Sequence, residues 1–266
     1  MKYAIIFSAE NRVERNVFDA NNSSPFEKMS IALAYSIRKY SDADVYCGSF
    51  TTNKLSAFAR LWFHRLKVKV VEDVKFDTGV VSLRTYTKHY FRHLLDRYGY
   101  LIYIDIDAIA INKIEFDFDP SSPLVLTCTM PQWVKNYHKQ YLGELQGNLY
   151  YNWVDIINKH NVHLFELDEG MELTQHNLDV IISNRIENSS LPKIEMDFGG
   201  YLNISGLNER SIFHHYDHGN EEGCMYLMKD THPQQLADIV SFFDKELRMH
   251  INPRSDYWTI KSKDYE

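Results

Sequence analysis

Cysteine is scarce in this chain: Cys47, Cys128 and Cys224 are its only three, and they lie far apart. That count and spacing exclude a disulfide framework and a cysteine-held metal cluster, and they fit a reducing compartment. Apolar runs are short. None reaches the roughly 18 residues needed to span a bilayer. The opening Met1-Lys2-Tyr3-Ala4-Ile5-Ile6-Phe7 gives way at once to Ser8-Ala9-Glu10-Asn11, the profile of a first core strand rather than a signal peptide. The expectation is a soluble, cytoplasmic chain with no transmembrane segment. Positive charge is also in short supply. Against 36 Asp and Glu stand 29 Lys and Arg, a net charge of −7, so the basic footprint of a nucleic-acid-binding protein is missing. With 7 prolines and 11 glycines in 266 residues, there is no low-complexity tract, and no repeat or flexible linker interrupts the chain.

What remains is an ordinary globular composition, 44% hydrophobic, with 18 Tyr and 15 Phe available for burial or for stacking on sugars and bases. Residues 3–7 read as a buried strand. Ser24-Pro25-Phe26-Glu27 combines an N-cap serine, a proline at the first helical position and a glutamate three residues on, a capping box. It opens a helix that runs to about Tyr40. Residues 44–50 and 67–71 read as strands around a helix over 54–65. Residues 85–98 form the clearest helix, with Leu83, Tyr86, Tyr90, Phe91, Leu94, Leu95 and Tyr98 along one stripe and Arg84, Lys88 and Arg92 along another. The next strand spans 100–111. This alternation predicts an α/β protein with a mostly parallel sheet flanked by helices, whose ligands bind beyond the carboxyl ends of the strands. The pattern is weaker after Asn112: a strand is expected at 123–127, another at 198–204, and a last helix from Thr231-His232-Pro233. One continuous domain over 1–266 is expected, with a ligand-binding half at 1–111 and a more irregular half at 112–266.

Asp105-Ile106-Asp107 is the chemical centre of the first half. Two carboxylates lie in the apolar stretch 101–111, where a strand period of two would put them on one face. Buried carboxylates are costly unless paired, hydrogen-bonded or bound to a cation. Oxygen ligands of this kind suit Mn²⁺ or Mg²⁺. Asp42-Ala43-Asp44 and Asp117-Phe118-Asp119 share the spacing, but the first sits in a helix-to-strand turn and the second before Pro120. Context therefore selects Asp105 and Asp107 as a metal site, with a hydrogen-bonded structural pair as the alternative.

Thr85-Tyr86-Thr87-Lys88, followed by the apolar strand and Asp105-Ile106-Asp107, resembles the GT-A glycosyltransferases, and among them the retaining group that includes glycogenin and the bacterial lipopolysaccharide galactosyltransferases. The resemblance covers about residues 1–111. It implies a Rossmann-like GT-A fold and transfer of a sugar from a nucleotide-sugar donor, UDP-linked, to a glycan hydroxyl. It implies Asp105 and Asp107 as ligands of Mn²⁺ (or Mg²⁺) bridging the donor diphosphate, with Ile106 between them at the donor, and Lys88 as the donor-side cation. Ser8, Ala9 and Glu10 would meet the base. Phe198-Gly199-Gly200-Tyr201 matches the glycine-containing strand of the group, Glu221 and Glu222 its acidic step at the reaction centre, and His250 its late metal ligand. Glu-Glu stands where that group has Asp-Gln or Asp-Glu, and the fuller His-x-x-Gly-x-x-Lys-Pro-Trp ending is missing.

Each assignment has a plainer counterpart. Lys88 with Arg84 and Arg92 also reads as a solvated basic face, and Glu221-Glu222 as acids at a helix N-terminus. His214, His215 and His218 compete with His250 for a metal or form a surface cluster. Tyr150, Tyr151 and Trp153 read as core filling ahead of acceptor stacking. Glu221 or Glu222 could stabilise an oxocarbenium-like centre in a retaining enzyme or act as base in an inverting one; the resemblance favours retention. Two other functions fit parts of the pattern. A haloacid-dehalogenase-type phosphatase would make Asp105 a nucleophile and Asp107 an acid/base, but its motif belongs on the first strand. A non-catalytic nucleotide-sugar or glycan-binding protein would keep the donor site without turnover.

Overall fold

A computed structural model of the chain describes residues 1–9, 24–50, 54–74, 83–116, 118–128, 154–166, 184–196, 212–215, 217–218, 224–229 and 233–262. In chain order, the first half holds β1 (Tyr3–Ser8), α1 (Pro25–Tyr40), β2 (Asp44–Phe50), α2 (Ala57–Arg65), β3 (Val68–Val74), α3 (Leu83–Phe91), β4 (Tyr100–Ile104) and β5 (Ala108–Ala110). The later elements are β6 (Val125–Cys128), β7 (Val154–Asn158), β8 (Lys193–Met196), β9 (Phe213–His215), β10 (Asp217–His218), β11 (Cys224–Met228), α4 (Pro233–Lys245), β12 (Met249–Pro253) and β13 (Tyr257–Ser262).

The central sheet runs in the order β3-β2-β1-β4-β7. Its first four strands are parallel and β7 is antiparallel at the edge. The apolar run Ala4-Ile5-Ile6-Phe7 is fully buried because helices cover both faces, and successive side chains enter different cores. Ile5, Phe7, Val45, Cys47, Ile102 and Ile104 pack with α1, α2 and α4. Ala4, Ile6, Tyr46, Leu101 and Tyr103 pack on the other side with Phe91 of α3, Leu95, Leu164 and Phe165. This is a mixed, mostly parallel sheet flanked by helices, the architecture expected from the sequence.

Local chemistry fixes the helices. The capping box of α1 forms as the sequence predicts: Glu27 N–H donates to Ser24 Oγ at 3.3 Å, and Ser24 N–H donates to Glu27 Oε2 at 3.2 Å. Glu27, fully buried, also accepts from the backbone N–H of Ser56, the N-cap of α2, at 2.6 Å. One carboxylate therefore anchors two helix starts. Arg38 near the end of α1 donates to the carbonyls of Ala43, Leu66 and Lys67, which ties the helix to the turn before β3. The late helix α4 packs on α1 and α2 through Phe242, stacked on Tyr35 at 3.9 Å and edge-on to Trp62 at 5.3 Å. No described helix is long and apolar enough to cross a membrane.

The structure departs from the sequence reading in several places. The helix expected to run to Tyr98 ends as α-helix at Phe91 and tightens into a 3-10 turn over Arg92–Asp96, as helix ends commonly do. The strand expected over 100–111 is two strands with the acid pair in the turn between them. An unforeseen strand, β7, closes the sheet, β8 to β11 were not expected either, and β12 and β13 follow the helix expected to be last. The strand expected at 198–204 lies outside the described residues.

Asp44 illustrates why spacing alone was uninformative. Lys69 Nζ donates to its Oδ1 at 2.8 Å and the Tyr98 hydroxyl to its Oδ2 at 2.5 Å, which holds the carboxyl down to about 2. A folded-state pKa below the unfolded one stabilises fully above about pH 4 and loses that effect as pH falls through the folded value. The difference in urea midpoint between wild type and Asp44→Asn is therefore expected to shrink as pH falls from about 4 towards about 2. A constant difference across that window would contradict the assignment.

Candidate functional site

Parallel pairing of β1 with β4, Ile6 opposite Tyr103, brings the carboxyl ends of both strands to one edge of the sheet. Ser8 closes β1, and Asp105 follows the last residue of β4. Along β4, Leu101 and Tyr103 face α3, and the same alternation carries Asp105 to that side. The chain then turns: Ala108 N–H donates to the Asp105 carbonyl at 3.3 Å and β5 begins. Asp107, only 9% exposed, and the half-buried Asp105 thus occupy a tight turn, not a strand face. Ile106 packs against the core shared with α1.

Tyr103 connects these ends. Its hydroxyl lies 3.3 Å from Ser8 Oγ and donates to Asp105 Oδ1 at 3.4 Å. Its cross-strand neighbour on β7 is Asp155, whose side chain in an antiparallel pair shares the same face. Lys88 descends from α3 onto this pair. Its ammonium is ion-paired with Asp155, with both side chains buried, and lies 4.5 Å from the Tyr103 ring centre and 5.1 Å from that of Phe165. Lys88 is therefore no solvated face of a helix; Asp155 compensates its charge inside the protein. The close approach of α3 rests on Gly48 of β2, where a methyl group would stand 2.9 Å from Thr87 Oγ1.

Ser8, Lys88 and Asp105 thus fall into one continuous cluster, beside the turn that holds Ile106 and Asp107. Ala9 is buried next to it, its N–H donating to the Gly48 carbonyl at 3.0 Å. His250 is exposed on β12, opposite Lys261. The histidines nearer in register to the acid pair are on β9, where His215 faces Ala108 and His214, buried, faces Ile109. Glu10, Glu221 and Glu222, like Tyr150, Tyr151 and Trp153, lie outside the described residues. Among the described residues, no three His, Cys, Asp or Glu side chains gather as a metal-holding group. The Asp105–Asp107 turn offers carboxylate oxygens alone, a donor set that fits a hard divalent cation and not a soft one.

Two members of the cluster were missed from the sequence. Asp155 is a lone acid in the buried run Val154-Asp155-Ile156-Ile157, the same anomaly that singled out Asp105 and Asp107. Tyr103 precedes Asp105 by one strand period, and the spacing alone would have placed it on the same face.

No family model matches the sequence, and no curated protein does. Solved structures do overlap it in part. A galactosyltransferase, LgtC, crystallised with donor and acceptor sugar analogs, is 15% identical with a TM-score of 0.36, covering 59% of this chain and 58% of its own. The bifunctional glycosyltransferase WbbM is 14% identical with a TM-score of 0.40, covering 62% and 33%. The glycosyltransferase GlyE of Streptococcus pneumoniae is 13% identical with a TM-score of 0.38, covering 73% and 45%. The chain therefore spans little more than half of the first of these structures and less of the other two. These overlaps are partial, at low identity.

Removing Lys88 takes the counter-charge from a buried carboxylate, so Lys88→Met is expected to cost about 3 kcal/mol in chemical denaturation. Combining it with Asp155→Leu is expected to recover most of that loss. A double variant as unstable as Lys88→Met would show that the pair is not the source of the effect.

Proposed function

We propose that the chain is a metal-dependent glycosyltransferase that moves a sugar from a nucleotide-sugar donor, UDP-linked, to a glycan hydroxyl. The observation that carries this reading is the meeting of Ser8 and Asp105, through Tyr103, at the carboxyl ends of β1 and β4. Ligands of open α/β sheets bind there, and the cluster supplies both a polar strand end for a base and carboxylates for a cation.

In this reading Asp105 and Asp107 would hold Mn²⁺ or Mg²⁺. Such a cation, when bound, acts as Lewis acid toward the diphosphate leaving group. Ser8, Ala9 and Glu10 contact the base and fix the donor's orientation. Lys88, as donor-side cation, is ion-paired with Asp155, so it contributes an oriented, compensated charge. Glu222, with Glu221, serves the reaction centre. A carboxylate there stabilises positive charge on the anomeric carbon if configuration is retained, or takes the acceptor's proton if it is inverted. His250 supplies the third metal ligand, with His214 and His215 as the competing pair by register. Residues 1–111 form the donor half and residues 112–266 the acceptor half of one domain.

Thermal stability measured against UDP-, GDP-, TDP- and CMP-sugars, with and without Mn²⁺, tests the proposal. A bound donor at 100 times its dissociation constant is expected to stabilise by roughly 2.7 kcal/mol. The shift should require Mn²⁺ and disappear in Asp107→Ala. No donor-dependent shift, together with hydrolysis of phosphomonoesters, would replace this reading with a phosphatase. A shift without any transfer or donor hydrolysis would leave a binding protein.

A further inference from the structure

The hydrogen bonds around Tyr103 have a direction. Asp105 Oδ1 accepts the Tyr103 proton at 3.4 Å. The same Tyr103 oxygen can accept from Ser8 Oγ at 3.3 Å. A proton chain thus runs from the end of β1 to the first carboxylate of the acid pair. The Lys88 ammonium lies 4.5 Å from the centre of the ring beneath that hydroxyl, and the cross-strand neighbour of Tyr103, Asp155, is the ion-pair partner of the same lysine. Tyr103 itself is fully buried, so its hydroxyl sits at a fixed point and meets no bulk solvent.

We propose that Tyr103 is a positioning residue for the acid pair. Its hydroxyl aims one oxygen of Asp105 and keeps the Ser8 strand end in register with it, while the Lys88–Asp155 pair fixes its ring. Hydrogen bonds to a carboxylate ligand set its orientation and so its affinity for metal. Tyr103 touches neither donor nor acceptor; it acts through Asp105. This inference rests on the metal and donor reading of Asp105 and Asp107 proposed above.

The test is Mn²⁺ binding, followed by the loss of the free-ion electron paramagnetic resonance signal with and without UDP, on wild type, Tyr103→Phe, Ser8→Ala and Tyr46→Phe. Tyr103→Phe keeps the ring and its contact with Lys88 and removes only the hydroxyl. It is expected to melt within a few degrees of wild type and to bind Mn²⁺ roughly threefold to tenfold more weakly. Ser8→Ala reaches the same link from its other end and is expected to weaken binding in the same direction, which keeps the test intact should Tyr103→Phe fold poorly. Tyr46→Phe removes a different buried hydroxyl, one bonded to Tyr98 at 3.1 Å, and should bind as wild type does. Unchanged Mn²⁺ affinity in both Tyr103→Phe and Ser8→Ala, with wild type binding normally, overturns the positioning role alone. Wild type that binds no Mn²⁺ with or without UDP overturns the metal reading, and this inference with it.

Discussion

Everything about the site depends on how β1 pairs with β4. In an α/β sheet covered on both faces, each strand sends alternate residues into two separate cores, so a one-residue slip would exchange every side chain between them. Here the pairing sets Ile6 opposite Tyr103. The two faces are filled by different partners, Phe7 and Ile104 with the α1 side and Ile6 and Tyr103 with the α3 side. The register is therefore fixed by packing well below the site. Ser8 and Asp105 then come together as a consequence of the core.

The α3 side carries the unusual chemistry. Lys88 and Asp155 are both buried, and a buried ion pair is rarely the most stable way to fill space. Two aromatic rings, Tyr103 and Phe165, lie against its ammonium, so the charge is met by oriented groups. Gly48 permits that arrangement, since a side chain there would push on Thr87 and lift α3 from the sheet. Stability and site geometry thus share the same residues, and substitutions at Lys88 or Asp155 will move both.

Much of the first half was legible in the sequence because its signals are local. The Ser24–Glu27 capping box, the buried run at residues 4–7 and the apolar stripe of α3 each specify one element without reference to the others. Asp105 and Asp107 stood out because charge in an apolar run is costly wherever the run folds. The turn between them was hidden, since Ile104, Ile106 and Ala108 read as one continuous strand. The Lys88–Asp155 pair was hidden for a different reason. It joins residues on α3 and β7 that only the finished sheet brings together, and no local pattern links them. The edge strand β7 and the sheet of β10 to β13 likewise depend on long-range pairing that periodicity does not encode. The relation of His250 to the acid pair is of the same kind: β12 leaves it exposed opposite Lys261, while β9 brings other histidines into register just beyond the turn.

The proposed cation site is a turn that ends a buried strand, supported from beneath by a tyrosine and a compensated lysine. Anomalous diffraction at the manganese edge, from crystals grown with MnCl₂ and UDP, tests that placement most directly. The account predicts the strongest manganese peak between the carboxylates of Asp105 and Asp107, with UDP density running from it towards Ser8. Ordered carboxylates with no manganese between them, and a peak or nucleotide bound elsewhere, would contradict it.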